Sequence, residues 1–404
     1  MSVTARTDEE SSYRLLHAGA FLALFCVGLY ASAFGPAMPF IASGLGVSLD
    51  TAGLVLTVFF IGSITASAAV AVALHARSSR LLGSVGLSAV AAGCLVLGFA
   101  DSWPIALAGG VLMGAGDGLV IAGLHILMAR SSRDVPSAVN NLNLFFAFGA
   151  ILGPLWAGGV LDSSGNRGFV YAGIAAAALA AMLVLLTAHE PGSRSGRSQP
   201  GDDLEEALQG SQVAIEERFA LPRDPVTLVM GAVLFLYVGA EFGLGAWVAS
   251  YARETTGAGI FAAAALTAGF WLALAIGRLL TGVYFGRQRD ALSLLTVAAA
   301  GGAVACLVLA VATGHLLVAG AAAFGAGLCM GPMWPATVAI VSARRPSSDT
   351  AAIVTMGNAG GVAIPWLQGK VLVGAGAAQG VAVTAALCAV MFGITSVLLL
   401  RRDR

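Results

Sequence analysis

VTLVMGAVLFLYVGAEFGLGAWVASYARE, residues 226–254, is long enough to cross a bilayer, and it places Glu241 near its middle. A carboxylate at that depth costs roughly 2.5–3.5 kcal/mol on insertion scales, so it calls for a water-filled cavity, a partner or a bound proton. Gly239, Gly243 and Gly245 flank it and let the backbone bend or a neighbouring helix approach closely. Tyr237 lies one turn earlier and shares its face. An aromatic ring and an acid at the centre of a spanning helix read as a binding surface. The alternative is an acid buried in a helix–helix contact and satisfied by neighbouring donors.

The rest of the chain matches this stretch in character. Of 404 residues, 58% are hydrophobic and 10% charged, and the mean hydropathy is +0.88. Soluble domains carry about 25% charged residues, so this chain is built for lipid. Acids and bases balance at 21 each, which provides no basic field for nucleic acid. The only lysine is Lys370, followed by Val371, so the Gly-Lys-Ser/Thr step of a phosphate-gripping loop is absent. That excludes ATP-driven pumping by this chain alone. Cys26, Cys94, Cys306, Cys329 and Cys388 sit in apolar runs without metal-type spacing. The five histidines (His17, His75, His125, His189 and His315) are scattered. Neither a metal site, a cofactor nor an enzymatic constellation is expected. The first apolar run is too long for a signal-peptide core and reads as a span.

Apolar segments divide the chain into about twelve candidate spans. Six, at about 15–43, 51–74, 81–100, 103–129, 136–161 and 168–188, precede a polar break. Six more, at about 225–252, 258–285, 291–313, 315–343, 350–373 and 377–400, follow it. The expected organisation is therefore an all-α membrane protein with bundles at 1–188 and 225–404, joined by a linker at 189–224. Leu204, Leu208, Ile215 and Phe219 in that linker are spaced as in an interfacial helix, with an acidic polar face. With the N-terminus in the cytoplasm, 17 arginines fall inside, against Arg167, Arg253 and Lys370 outside. The positive-inside rule then puts both termini in the cytoplasm. The halves also repeat. Gly114-Ala115-Gly116 in span four matches Gly325-Ala326-Gly327 in span ten, and Pro154-x-x-x-Gly158 in span five matches Pro365-x-x-x-Gly369 in span eleven. A six-plus-six repeat suggests a transporter whose halves rock around a central site.

Over its whole length the chain resembles a major facilitator superfamily transporter. The family's loop signature between spans two and three, G-x-x-x-D-R-x-G-R-R, is degenerate here: Val72 to Arg80 keeps Arg77 and Arg80 and lacks the glycines and the aspartate. Its copy, Gly277-Arg278-Leu279-Leu280-Thr281-Gly282 on to Gly286-Arg287, keeps more. The resemblance implies that Arg77, Arg80, Arg278 and Arg287 latch helix ends in one conformation. Leu236 to Gly243, with Ala246-Trp247 and Tyr251, is similar to the fucose permease-like, sugar–proton symporter branch, as is Asn141-Leu142-Asn143 leading to Pro154. Gly149-x-x-x-Gly153-Pro154 also resembles the span-five motif of drug–proton antiporters, with its final glycine pair displaced by one residue to Gly158-Gly159.

The family places spans one, four, seven and ten around a central cavity, so the resemblance brings Asp117 and Glu241, the two acids inside spans, to that cavity. Paired carboxylates in a partly dry cavity are the chemistry that takes up and releases protons. Sugars need flat aromatics beside donors and acceptors. Tyr30, Phe34, Tyr237 and Trp334 are the candidate rings, Asn143 and Asn358 the candidate amides, and Glu241 the candidate acceptor. Ordinary helix packing is the competing role for each aromatic. The function expected is proton-coupled uptake of a small sugar-like solute through the inner (plasma) membrane by a monomer. A drug–proton antiporter and a transport-inactive sensor or scaffold are the alternatives.

Overall fold

The computed structural model describes residues 3–70, 78–132, 135–188, 224–285, 290–343 and 347–402. Arg77, Arg287 and residues 189–223, with their expected interfacial helix, lie outside the described residues. Among the described residues the regular structure is helical throughout.

The first half comprises α1 (Val3–Leu45), α2 (Leu49–Ala52), α3 (Leu54–Ala69), α4 (Ser79–Phe99), α5 (Trp103–Ser131), α6 (Val135–Ser164) and α7 (Arg167–Thr187). The second comprises α8 (Pro225–Thr256), α9 (Ile260–Phe285), α10 (Ala291–Val311), α11 (Leu316–Met330), α12 (Met333–Ser342), α13 (Ser347–Ala375) and α14 (Ala377–Arg402). α2 and α3 together make span two, broken at Gly53, and α11 and α12 make span ten, broken at Gly331-Pro332. Proline removes a backbone donor and crowds the preceding turn, which explains the second break. Eleven spans pass on length and hydropathy among the described residues. The remaining element, α13, is 29 residues long, but Asn358, Pro365, Gln368 and Lys370 dilute its apolar character.

Helix pairing repeats between the halves. α1 packs on α6 and α7, α3 on α5, and α4 on α5 and α7. In the second half α8 packs on α13 and α14, α9 on α11, and α10 on α11 and α14. Each pair has its counterpart six spans later, as an internal repeat requires. Turns at one end are closed by left-handed glycines at equivalent places: Gly46 matches Gly257 and Gly165 matches Gly376. Only glycine adopts that backbone without a Cβ penalty. The glycine triplets match less closely than their sequences. Gly114 abuts α3 and Gly116 abuts α4, whereas Gly325 abuts α10 and Gly327 abuts α9, so the two neighbours are served in the opposite order.

The halves touch mainly through α6–α9, α3–α13 and α1–α8. The polar and aromatic contacts between them gather toward the end carrying the glycine turns. Lys370 pairs with Asp50 at 3.3 Å. Thr57 Oγ1 donates to the Val362 carbonyl at 2.7 Å, and the Arg253 guanidinium lies 5.9 Å from the Phe40 ring centre. Gly35 of α1 lies against the carbonyl of Gly245 in α8.

Candidate functional site

Both intramembrane acids are buried, Asp117 8% and Glu241 3% exposed, and donors from their own half hold each one. Asp117, on α5, accepts from the Tyr30 hydroxyl of α1 at 2.6 Å and from the Ser63 hydroxyl of α3 at 2.6 Å. Glu241, on α8, forms an ion pair with Arg278 of α9 at 2.9 Å. The same Arg278 Nη2 donates to the Tyr237 hydroxyl at 3.3 Å. The Trp334 ring of α12 lies 6.4 Å from that of Tyr237. The first cluster thus draws on spans one, two and four, and the second on spans seven, eight and ten. These are repeat-equivalent trios, with the acid moved from the fourth span to the seventh.

This arrangement corrects two expectations. The carboxylates do not form a mutual pair: no hydrogen bond among the described residues joins them, and each is held by donors of its own half. Arg278, read as part of a loop motif, reaches into the bundle and meets Glu241. Its position was open to inference. Glu241 lies about four turns before the α8 C-terminus and Arg278 about five turns after the α9 N-terminus, so a hairpin sets them at similar depth. An opposite charge at that depth is what a buried carboxylate requires.

The other candidates are placed as follows. Tyr237 and Tyr30 are fully buried, with their hydroxyls engaged in the two clusters. Phe34 is packed between Phe59 (5.7 Å) and Tyr171 (6.3 Å) in the first half. Trp334 and Asn358 are half-buried and Asn143 is exposed. His125, one of the scattered histidines and eight residues after Asp117, binds the Ile121 carbonyl of its own helix at 2.7 Å. The Trp247 indole donates to the Pro365 carbonyl at 2.7 Å, which ties α8 to α13. Arg80 donates to the Ala188 carbonyl and, at 3.5 Å, to that of Leu186, placing a positive charge on the C-terminal end of α7. Gly149 and Gly153, from the antiporter-like motif, lie against the α1 backbone at Phe25 and Leu29. Their absent side chains serve the α1–α6 contact. Sequence reasoning missed Ser63, a small hydroxyl among many, and the partnership between Arg278 and Glu241.

Comparison with known proteins adds the following. A family model, Major Facilitator Superfamily, matches residues 20–365. The "Bypass of stop codon protein 6" of Saccharomyces cerevisiae is 30% identical over 189 residues, covering 43% of this chain and 38% of the yeast protein. Solved structures share the fold at low identity. The D-xylose-proton symporter superposes with a TM-score of 0.74 at 14% identity, covering 94% of this chain and 96% of that one. The nucleoside transporter NupG (D323A mutant) gives 0.72 at 11% identity, with coverage of 96% and 98%. FucP, in its outward conformation, gives 0.63 at 18% identity, with coverage of 95% and 99%.

Proposed function

This chain belongs to the Major Facilitator Superfamily, and from that premise we propose that it is a proton-coupled secondary transporter of a small, neutral, oxygen-rich solute. The observation that carries this reading is the pair of buried acid clusters on repeat-equivalent helices. A protein that only spans a membrane has no need of a carboxylate at that depth in each half. The bundles, 1–188 and 225–404, rock about this centre, with the 189–224 linker and both termini in the cytoplasm of a cell whose inner membrane holds the protein. The similarity of 236–243 to sugar–proton symporters, together with the names of the xylose, nucleoside and FucP structures, supports an oxygen-rich cargo.

The chemistry follows from the contacts. Ionised Glu241 holds Arg278 and, through it, Tyr237. A proton arriving on Oε1 cancels the ion pair and frees Nη2 to donate to a solute oxygen, beside the half-buried Trp334. Deprotonation restores the pair and returns Arg278 to Glu241. Asp117 is the second proton site, where Tyr30 and Ser63 donate to the ionised form and a proton displaces one of them. Asn143 and Asn358 flank the solute. Arg80 and Arg278, with Arg77 and Arg287, are assigned to holding helix ends and halves in one state, Arg278 through Glu241.

The test is transport in proteoliposomes with an imposed pH difference. Asp117→Asn is expected to keep solute exchange and lose accumulation against the gradient. Glu241→Gln mimics the protonated acid and leaves Arg278 free to meet the solute, so it is expected to keep solute binding and lose its dependence on pH. Undiminished accumulation by Asp117→Asn removes Asp117 from the coupling.

A further inference from the structure

One buried donor near the seam between the halves has no acceptor among the described residues. Trp271, on α9, is 2% exposed, and none of those residues offers its indole Nε1 a hydrogen bond. Buried tryptophan N–H groups ordinarily find one, because the group loses its hydration on burial and gains nothing in return if left alone. A site that needed only a ring would be filled by phenylalanine without that loss.

The surroundings of the indole point to what would satisfy it. Trp271 lies two turns before Arg278 and on the same face of α9. Its ring meets Phe242 edge-on, 6.0 Å between centres, and Phe242 neighbours Glu241 in sequence. Phe242 meets Phe60 of the other half at 4.8 Å and 89°. Phe60 continues to Phe59 at 5.5 Å, and Phe59 to Tyr30 at 6.0 Å, where the hydroxyl holds Asp117. The indole also lies on Gly245, whose carbonyl faces Gly35 of α1. An unbroken aromatic run therefore leads from the Asp117 cluster across the seam to Phe242 and Trp271, and the orphan N–H stands at its second-half end.

We infer that Trp271 is a specificity-determining contact for the transported solute. When the halves part, Phe60 leaves Phe242, and a solute entering the gap between them reaches the indole. Its N–H then donates to a hydroxyl or carbonyl oxygen of the solute, while the Phe242 and Phe60 rings cover the apolar face of the same molecule. A hydroxyl-bearing ring compound, such as a pentose, hexose or nucleoside, presents both surfaces. The inference rests on the proposed transport of an uncharged, oxygen-rich solute.

Counterflow by the full chain in proteoliposomes, with radiolabelled D-xylose, D-glucose and uridine as probes, tests it. Trp271→Phe is expected to raise the half-saturation for a transported probe about 3- to 10-fold, the range of one neutral hydrogen bond. The maximal rate stays within about twofold, and the melting temperature in detergent falls only by the cost of the smaller ring, because no structural hydrogen bond is lost. Should that variant misfold, benzothienylalanine at position 271 replaces the N–H by sulfur at nearly the same shape and carries the same expectation. An unchanged half-saturation while the wild type transports a probe overturns the inference alone. If the wild type transports none of the three probes, the proposed solute class fails and takes the inference with it.

Discussion

Removing either partner of the Glu241–Arg278 pair strands a charge, but the two removals differ. The Glu241 side chain is 4% exposed and that of Arg278 is 31% exposed. Without its partner, the guanidinium can turn toward water and the carboxylate cannot. Arg278→Gln is therefore expected to destabilise the protein by about 3 kcal/mol, the low end for breaking a buried pair. Glu241→Gln costs less, and the double substitution recovers most of the loss. Melting temperatures in one detergent rank the three, and a ranking with Glu241→Gln as the worst contradicts this account. In the other cluster, Tyr30→Phe removes one of two donors to a buried carboxylate and is expected to cost about 1.5–3 kcal/mol. Ser63 remains to hold Asp117, so folded protein should still be recovered.

At the scale of elements, close approach of helices does what hydrophobicity cannot, since lipid is as apolar as the helix surfaces. α6 reaches the α1 backbone because Gly149 places no side chain against the Phe25 carbonyl. Gly149→Leu must drive the two helices apart, and a loss of several kcal/mol is expected, seen as low yield of monodisperse protein. Gly393, on α14, faces open space. There, Gly393→Ala is expected to be neutral or stabilising by up to about 1 kcal/mol, because alanine restricts the unfolded chain and meets nothing in the folded one. Equal effects at the two positions would show that glycine matters here for helix propensity and not for packing.

For the whole molecule, the balance between states depends on what joins the halves at the end with the glycine turns. The Lys370 side chain is 51% exposed, so its pair with Asp50 belongs to the weak class, worth about 0–1 kcal/mol. Lys370→Met is expected to shift the population toward separation at that end by no more than about fivefold. The exchange Asp50→Lys with Lys370→Asp restores it. Distances between spin labels on the two halves report the shift, and a complete conversion by Lys370→Met would mean the aromatic and backbone contacts contribute little. Orientation in the membrane rests on the arginine tally. A cysteine placed at Ser198 is expected to resist an impermeant reagent on intact cells and to react in inverted membranes.

Sequence alone determined the number and order of the spans, the depth of Asp117 and Glu241, and the repeat between halves. These are local properties: a bilayer of fixed thickness imposes a length on each apolar run, and an acid within such a run is conspicuous wherever the run packs. The choice of donor for each acid was decided by tertiary structure. Tyr30 and Ser63 converge on Asp117 only because α1, α3 and α5 rotate those faces together, and hydropathy that is apolar all round a helix does not encode its rotation. For the same reason the glycine triplets looked equivalent and proved to serve their neighbours in opposite order, since glycine permits contact without choosing a partner. Arg278 lay between these cases: its depth was legible, and its direction was set only when α9 folded back on α8 with the guanidinium facing Glu241. Trp271 had no sequence signal at all. An indole without an acceptor exists only once every neighbour is in place.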